Sequence, residues 1–169
     1  MLITKKRVSA IYLRTFVFGV EDSLVSTVGL LSGVATAEIS SRAIFIIGIV
    51  LIFVEAVSMS AGSFLSEYSA EEYESQSEVS PRNSLLSGII MFFSYFISGF
   101  IPLFPYMVLD VSMAFWTSIG FSLVSLFLLG VLRAKISKLQ SLHYGLQMSA
   151  VGGIAILVGV IIGNIVRAL

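Results

Sequence analysis

Three acidic residues stand inside otherwise apolar sequence: Glu21 and Asp22 in one stretch and Glu55 in the next. A carboxylate at mid-bilayer costs about 2.5–3.5 kcal/mol on insertion scales, so such residues face a bundle interior or a watered cavity and commonly mark ion or proton paths. Glu55 and Met59 are four apart and share a helical face, which Gly62 and Ser66 extend. Asp22 shares a face with Ser26 and Gly29. Hard carboxylate oxygen beside soft thioether sulfur suits a transition metal such as Fe²⁺ or Mn²⁺ better than Mg²⁺ or Ca²⁺. Plain helix packing is the competing role for Met59. A structural hydrogen bond or an interfacial position competes for the acids, most of all for Glu21, which is only a few residues into its stretch.

A second acidic group follows. Glu67, Glu71, Glu74 and Glu78 fall at spacings of four, three and four, with Glu72 among them. On a helix continued past the membrane they would form one stripe able to concentrate cations at the mouth of a path. A solvated helical face has the same pattern.

The elements that must position these residues are membrane spans. The chain has 169 residues, 57% hydrophobic and 12% charged, with a mean hydropathy of +1.00. Soluble domains carry about twice that share of charge. Five segments reach the roughly 20 apolar residues a spanning helix needs: about 16–37, 43–66, 84–106, 111–132 and 144–166. The expected fold is a single all-α, five-span membrane domain over 1–169, with 67–83 as an acidic loop. A signal peptide competes for the first segment, with Ala35-Thr36-Ala37 as its cleavage site, but the stretch is too long and Glu21 and Asp22 interrupt it.

Basic residues orient the chain. Lys5, Lys6, Arg7, Arg14, Arg82, Arg133, Lys135 and Lys138 fall on one side, and Arg42 and Arg167 on the other. The positive-inside rule then expects a cytoplasmic N-terminus, with residues 67–83 and 133–143 on the same side. Ten basic against ten acidic residues favour no nucleic-acid partner. There is no cysteine, one histidine (His143) and no HExxH, GxSxG, Walker or GxGxxG motif. No enzyme, zinc or haem site is therefore expected, nor any resident cofactor.

An odd span count excludes an even-numbered inverted repeat within one chain, so a transport path is expected between two copies. Gly29 and Gly33 form a GxxxG, and Gly145, Gly152, Gly159 and Gly163 line one face of the last span. Such faces serve packing within a subunit or a dimer seam. Pro102 and Pro105 mark where the third helix ends or bends.

Four stretches in order resemble the vacuolar iron transporter family: Phe18 to Thr27, with Gly19 and Asp22; Glu55 to Ser66, with Ser58-Met59 and Gly62; Gly99 to Tyr106, with Ile101-Pro102-Leu103 and Pro105-Tyr106; and, less specifically, the glycine-rich last span. The chain looks like a short, prokaryotic-type member in a cell membrane. The resemblance implies a five-helix protomer, a homodimer, and a metal path between protomers. It also implies that Fe²⁺ or Mn²⁺ is the transported substrate, exported from the cytoplasm in exchange for protons. By motif position Asp22 matches the transport aspartate and Met59 the metal-binding methionine. Ser23 departs from the family's glycine, and Leu51 stands where plant members place a transport glutamate; Glu55, one turn on, is expected to substitute for it. Residues 67–83 are too few for the helical metal-binding domain of larger members, leaving only the acidic stripe. A non-transporting metal sensor or a helical scaffold subunit is the alternative reading.

Overall fold

A computed structural model describes residues 2–169, with side chains described from Val8 onward. Lys5, Lys6 and Arg7, which carry part of the orientation argument, lie outside the described side chains. The helices are α1 (Leu2–Thr36), α2 (Ser41–Ser75), α3 (Arg82–Leu103), the single turn α4 (Pro105–Val108), α5 (Val111–Ile136) and α6 (Ser141–Arg167). Among the described residues, five of these are long and apolar enough to cross a membrane, so the chain is an integral membrane protein.

Short connections make sequence neighbours antiparallel. One end of the bundle therefore gathers the starts of α1, α3 and α6 and the ends of α2 and α5. Arg14, Arg82, Arg133, Lys135 and Lys138 cluster toward it, and it is called the basic end below. The helix α1 is the hub: it packs against α6, α3, α5 and α2, while α2 rests mainly on α3.

Two apolar clusters hold the ends together. Leu31, Ile44, Ile52, Leu103, Tyr106 and Ala114 form one, and Val17, Leu24, Leu126, Leu129 and Met148 the other. Large apolar side chains such as Phe53, Ile97, Trp116, Leu128 and Leu157 point outward. Lipid is as apolar as a protein core, so this surface is at rest in a bilayer.

Hydropathy located the spans, but two helices run beyond their apolar stretches. The first begins at Leu2 and the second continues to Ser75, so the expected loop 67–83 contracts to residues 76–81. Ala70, Glu71, Glu72 and Glu74 are adequate helix formers without lipid contact. Gln76, in the left-handed region at φ 51°, ends α2 and donates its backbone N–H to the Glu72 carbonyl. Glu78 thus falls outside the helix that was to align it with Glu67, Glu71 and Glu74.

The proline pair acts as expected. Pro102 sits in the last turn of α3 and Pro105 opens α4. The Ser118 hydroxyl donates to the Pro102 carbonyl at 2.7 Å, tying α5 to the end of α3.

Gly29 and Gly33 meet Gly159 and Gly163 inside the protomer, while Gly145 and Gly152 abut Phe127 and Leu126 of α5. A Cβ on Gly159 would strike the backbone of Gly29, and one on Gly163 the backbone of Gly33. Only glycine permits this approach of α1 to α6. Of the two uses open to these motifs, packing within a subunit is the one adopted here.

Candidate functional site: the polar face between α1 and α2

Nearer the basic end than the glycine seam, α1 turns a polar face toward α2 and α3. Its position is set by a line of small and hydroxyl residues on α3: Ser84, Ser87, Gly88, Ser94, Ser98 and Gly99 are all buried, with Met91 among them. Apolar side chains here would hold α1 and α2 further from α3. Gly19 meets this line where a Cβ would overlap Met91 and Ser94.

Hydrogen bonds fix the three helices. The Thr15 and Ser87 hydroxyls are 3.0 Å apart, and the Ser63 and Ser87 hydroxyls 3.1 Å, a chain running from α1 through α3 to α2. The Ser60 hydroxyl donates to the Gly88 carbonyl at 2.9 Å. Deeper in, the Ser23 hydroxyl donates to the Tyr95 carbonyl at 2.7 Å, and the Tyr95 and Ser26 hydroxyls lie 2.8 Å apart.

A cavity of about 600 Å³ opens in this face. It is lined by Thr15 and Phe18 of α1, by Ser58, Met59, Gly62, Ser63 and Ser66 of α2, and by Met91 of α3. Arg14 and Glu67 line it too and form an ion pair. Phe18 is one turn before Asp22, and Met59 one turn after Glu55. Because α1 and α2 run in opposite directions, both carboxylates lie one turn, about 6 Å, further from the basic end than this part of the cavity wall. Asp22 and Glu55 are half-buried and within electrostatic reach of each other, and both act on Tyr95.

The structure therefore places Asp22 and Glu55 within electrostatic reach of each other and puts Met59 on the adjoining cavity wall. It separates Glu21 from them. Glu21 lines a different cavity, of about 330 Å³, with Arg133 of α5, and is under that cation's electrostatic influence. The Arg133 guanidinium also lies 5.7 Å from the Tyr144 ring centroid. Glu21 thus faces a helix on the other side of α1, where a structural counter-charge is its chemistry.

The acidic stripe divides as well. Glu67 is buried against Arg14. Glu71 accepts from Asn83 and Ser84 at 3.5 and 3.4 Å, closing the turn between α2 and α3. Glu74 remains on the exposed last turn of α2, and Glu78 is exposed in the connection.

Sequence reasoning passed over Arg14, Tyr95 and Met91. A signal existed for the last two: Tyr95 is a polar group within an apolar span, and Met91 continues the spacing of small residues on α3. Arg14 precedes Asp22 by two steps of four, on the flank of the same face. Among the described residues, no three Asp, Glu or His side chains converge on one point. A cation on this face would take its remaining ligands from sulfur, hydroxyl, water or a second copy of the chain.

Comparison with known proteins bears on this face directly. The chain is 33% identical over 92 residues to the vacuolar iron transporter cccA of Arthroderma benhamiae, covering 49% of this chain and 33% of that protein. It is 33% identical over 75 residues to an uncharacterized protein of Methanocaldococcus jannaschii, covering 44% of this chain and 39% of that one. Each match spans well under half of the relative's length. The VIT family profile matches residues 13–82 and 75–164, which include the polar face, the proline pair and the glycine seam. The chain belongs to the VIT family, a family of transporters rather than enzymes.

Proposed function

We propose that the protein moves a divalent transition-metal ion, Fe²⁺ or Mn²⁺, along the face between α1 and α2, out of the cytoplasm and in exchange for protons. The observation that carries this reading is that Asp22 lies within electrostatic reach of Glu55, one turn beyond a cavity that holds Met59. Two carboxylates within reach of each other repel when both are ionised, and a divalent cation relieves that repulsion. Protonation relieves it too, so metal and proton compete for the same oxygens. Met59 adds a soft ligand at the approach, favouring Fe²⁺ and Mn²⁺ over Mg²⁺ and Ca²⁺.

The basic end faces the cytoplasm in this account, by the positive-inside rule. Glu74 and Glu78, exposed there, gather cations, and Glu71 contributes from the turn.

The path is completed by a second copy. Ser58, Ala61, Gly62 and Ser66 are exposed on α2, and a Cβ on Gly62 would meet no neighbour. Small polar residues facing outward from a span are poorly matched to lipid but well matched to another helix. The glycine faces of α1 and α6 are already consumed inside the protomer, which supports the α1–α2 face as the homodimer contact.

The test is flux into proteoliposomes. Asp22→Asn should abolish Fe²⁺ and Mn²⁺ movement while the protein remains folded and dimeric; undiminished flux removes Asp22 from the mechanism.

A further inference from the structure

The cavity between α1 and α2 already holds a cation, the guanidinium of Arg14. Its partner Glu67 stands 53 residues away in sequence. The two ends of this ion pair differ in freedom. The Glu67 side chain is 11% exposed, held between helices; the Arg14 side chain is 69% exposed. An acid fixed in a cavity wall and a base on a long, largely solvated stem make a pair in which only the base can leave without moving a helix.

The acid cannot be left alone. A carboxylate taken out of water and stripped of its partner is strongly destabilising, so whatever displaces Arg14 must replace its charge. A divalent cation in the cavity does so, and repels the guanidinium at the same time. The other ligand-bearing groups on the same cavity wall, Met59, Ser63, Ser66 and Met91, carry no charge that would hold Arg14 in place.

We propose that Arg14 is a tethered cation that occupies Glu67 until a divalent metal ion entering the cavity displaces it. Glu67 is then an entry ligand that never stands uncompensated, and Arg14 keeps the cavity from accepting monovalent ions, which cannot outcompete a bound guanidinium. The proposal rests on reading the cavity as the metal's entrance.

Equilibrium binding of Mn²⁺ to the purified full-length protein in detergent, followed by the loss of free-Mn²⁺ electron paramagnetic resonance signal, tests it. If the pair is closed about nine-tenths of the time, removing the tether tightens apparent binding about tenfold. Arg14→Gln should show that gain, and Glu67→Gln should bind more weakly than wild type. The double variant should match Glu67→Gln, because Arg14 acts only by occupying that carboxylate. Arg14→Lys keeps the charge and the fold but loses the planar fork, and should tighten binding by a smaller factor. Unchanged or weaker binding in Arg14→Gln or Arg14→Lys overturns the proposal. A double variant that binds more tightly than Glu67→Gln also overturns it, since Arg14 would then act by long-range repulsion alone. The titration needs no flux: a wild-type protein that binds Mn²⁺ but moves none refutes transport and leaves the tether to be judged by these variants.

Discussion

The helix α1 makes two contacts at different heights along its length, and they are built on different principles. Toward α6, Gly29 and Gly33 meet Gly159 and Gly163 with backbone against backbone. Toward α2, Asp22 lies within electrostatic reach of Glu55, Arg14 pairs with Glu67, and a cavity of about 600 Å³ opens. The first contact gains from close van der Waals packing, which lipid cannot match at a glycine surface. The second is polar, half-open and costly to place in a bilayer. A cavity of about 590 Å³, lined almost wholly by apolar atoms, also adjoins the glycine seam, so the two stretches of the hub helix differ in polarity rather than in openness.

The seam is where substitution should do most damage. Gly159→Leu places a side chain on the Gly29 backbone, and overpacking of this kind costs about 1–3 kcal/mol or more. Loss of the folded species in size-exclusion chromatography and in thermal melts is expected. A stable, well-behaved Gly159→Leu protein would break the comparison. On the polar face the expectation reverses: Glu55→Gln should lower metal flux at least about tenfold, as loss of a transition-metal ligand or its close support does, while the melting temperature holds.

Tyr95 sits between the two behaviours. Its hydroxyl bonds Ser26 at 2.8 Å beside Asp22. Tyr95→Phe should cost about 0.5–1.5 kcal/mol of stability and reduce flux without abolishing it. The smallest effect belongs to Gly62→Ala, where the new methyl meets open space; a stability change within about 0.5 kcal/mol is expected. A large loss there would mean that a helix outside the protomer packs closely against Gly62.

Much of this was legible in the residues. Apolar runs located five helices, because length and hydropathy suffice for a lipid-solvated span. They did not locate the helix ends: α1 and α2 continue through charged sequence whose helical tendency hydropathy does not register. Proline placement gave the end of α3 directly. The glycine spacing in α1 and α6 identified two close-packing faces but not that they meet each other, since partner choice depends on the whole bundle. The same limit explains the acids. Asp22 and Glu55 were conspicuous by residue type in apolar surroundings. That Glu21, next in sequence, turns to Arg133 on α5 follows from the angle between adjacent helical residues and from where α5 packs. Glu67 read as one member of an acidic stripe, because Arg14, its partner, is 53 residues away.

The central claim is that ions travel along the α1–α2 face and not along the α1–α6 seam. The chain has no native cysteine, so single cysteines report without background. Ser58→Cys and Gly62→Cys, on the polar face, and Val158→Cys, beside the glycine seam, can be treated in membranes with a charged, membrane-impermeant thiol reagent from the cytoplasmic side. The account predicts that the first two label and that Mn²⁺ slows their labelling, while Val158→Cys stays unreactive. Labelling of Val158→Cys that Mn²⁺ slows, with Ser58→Cys and Gly62→Cys inert, would contradict it.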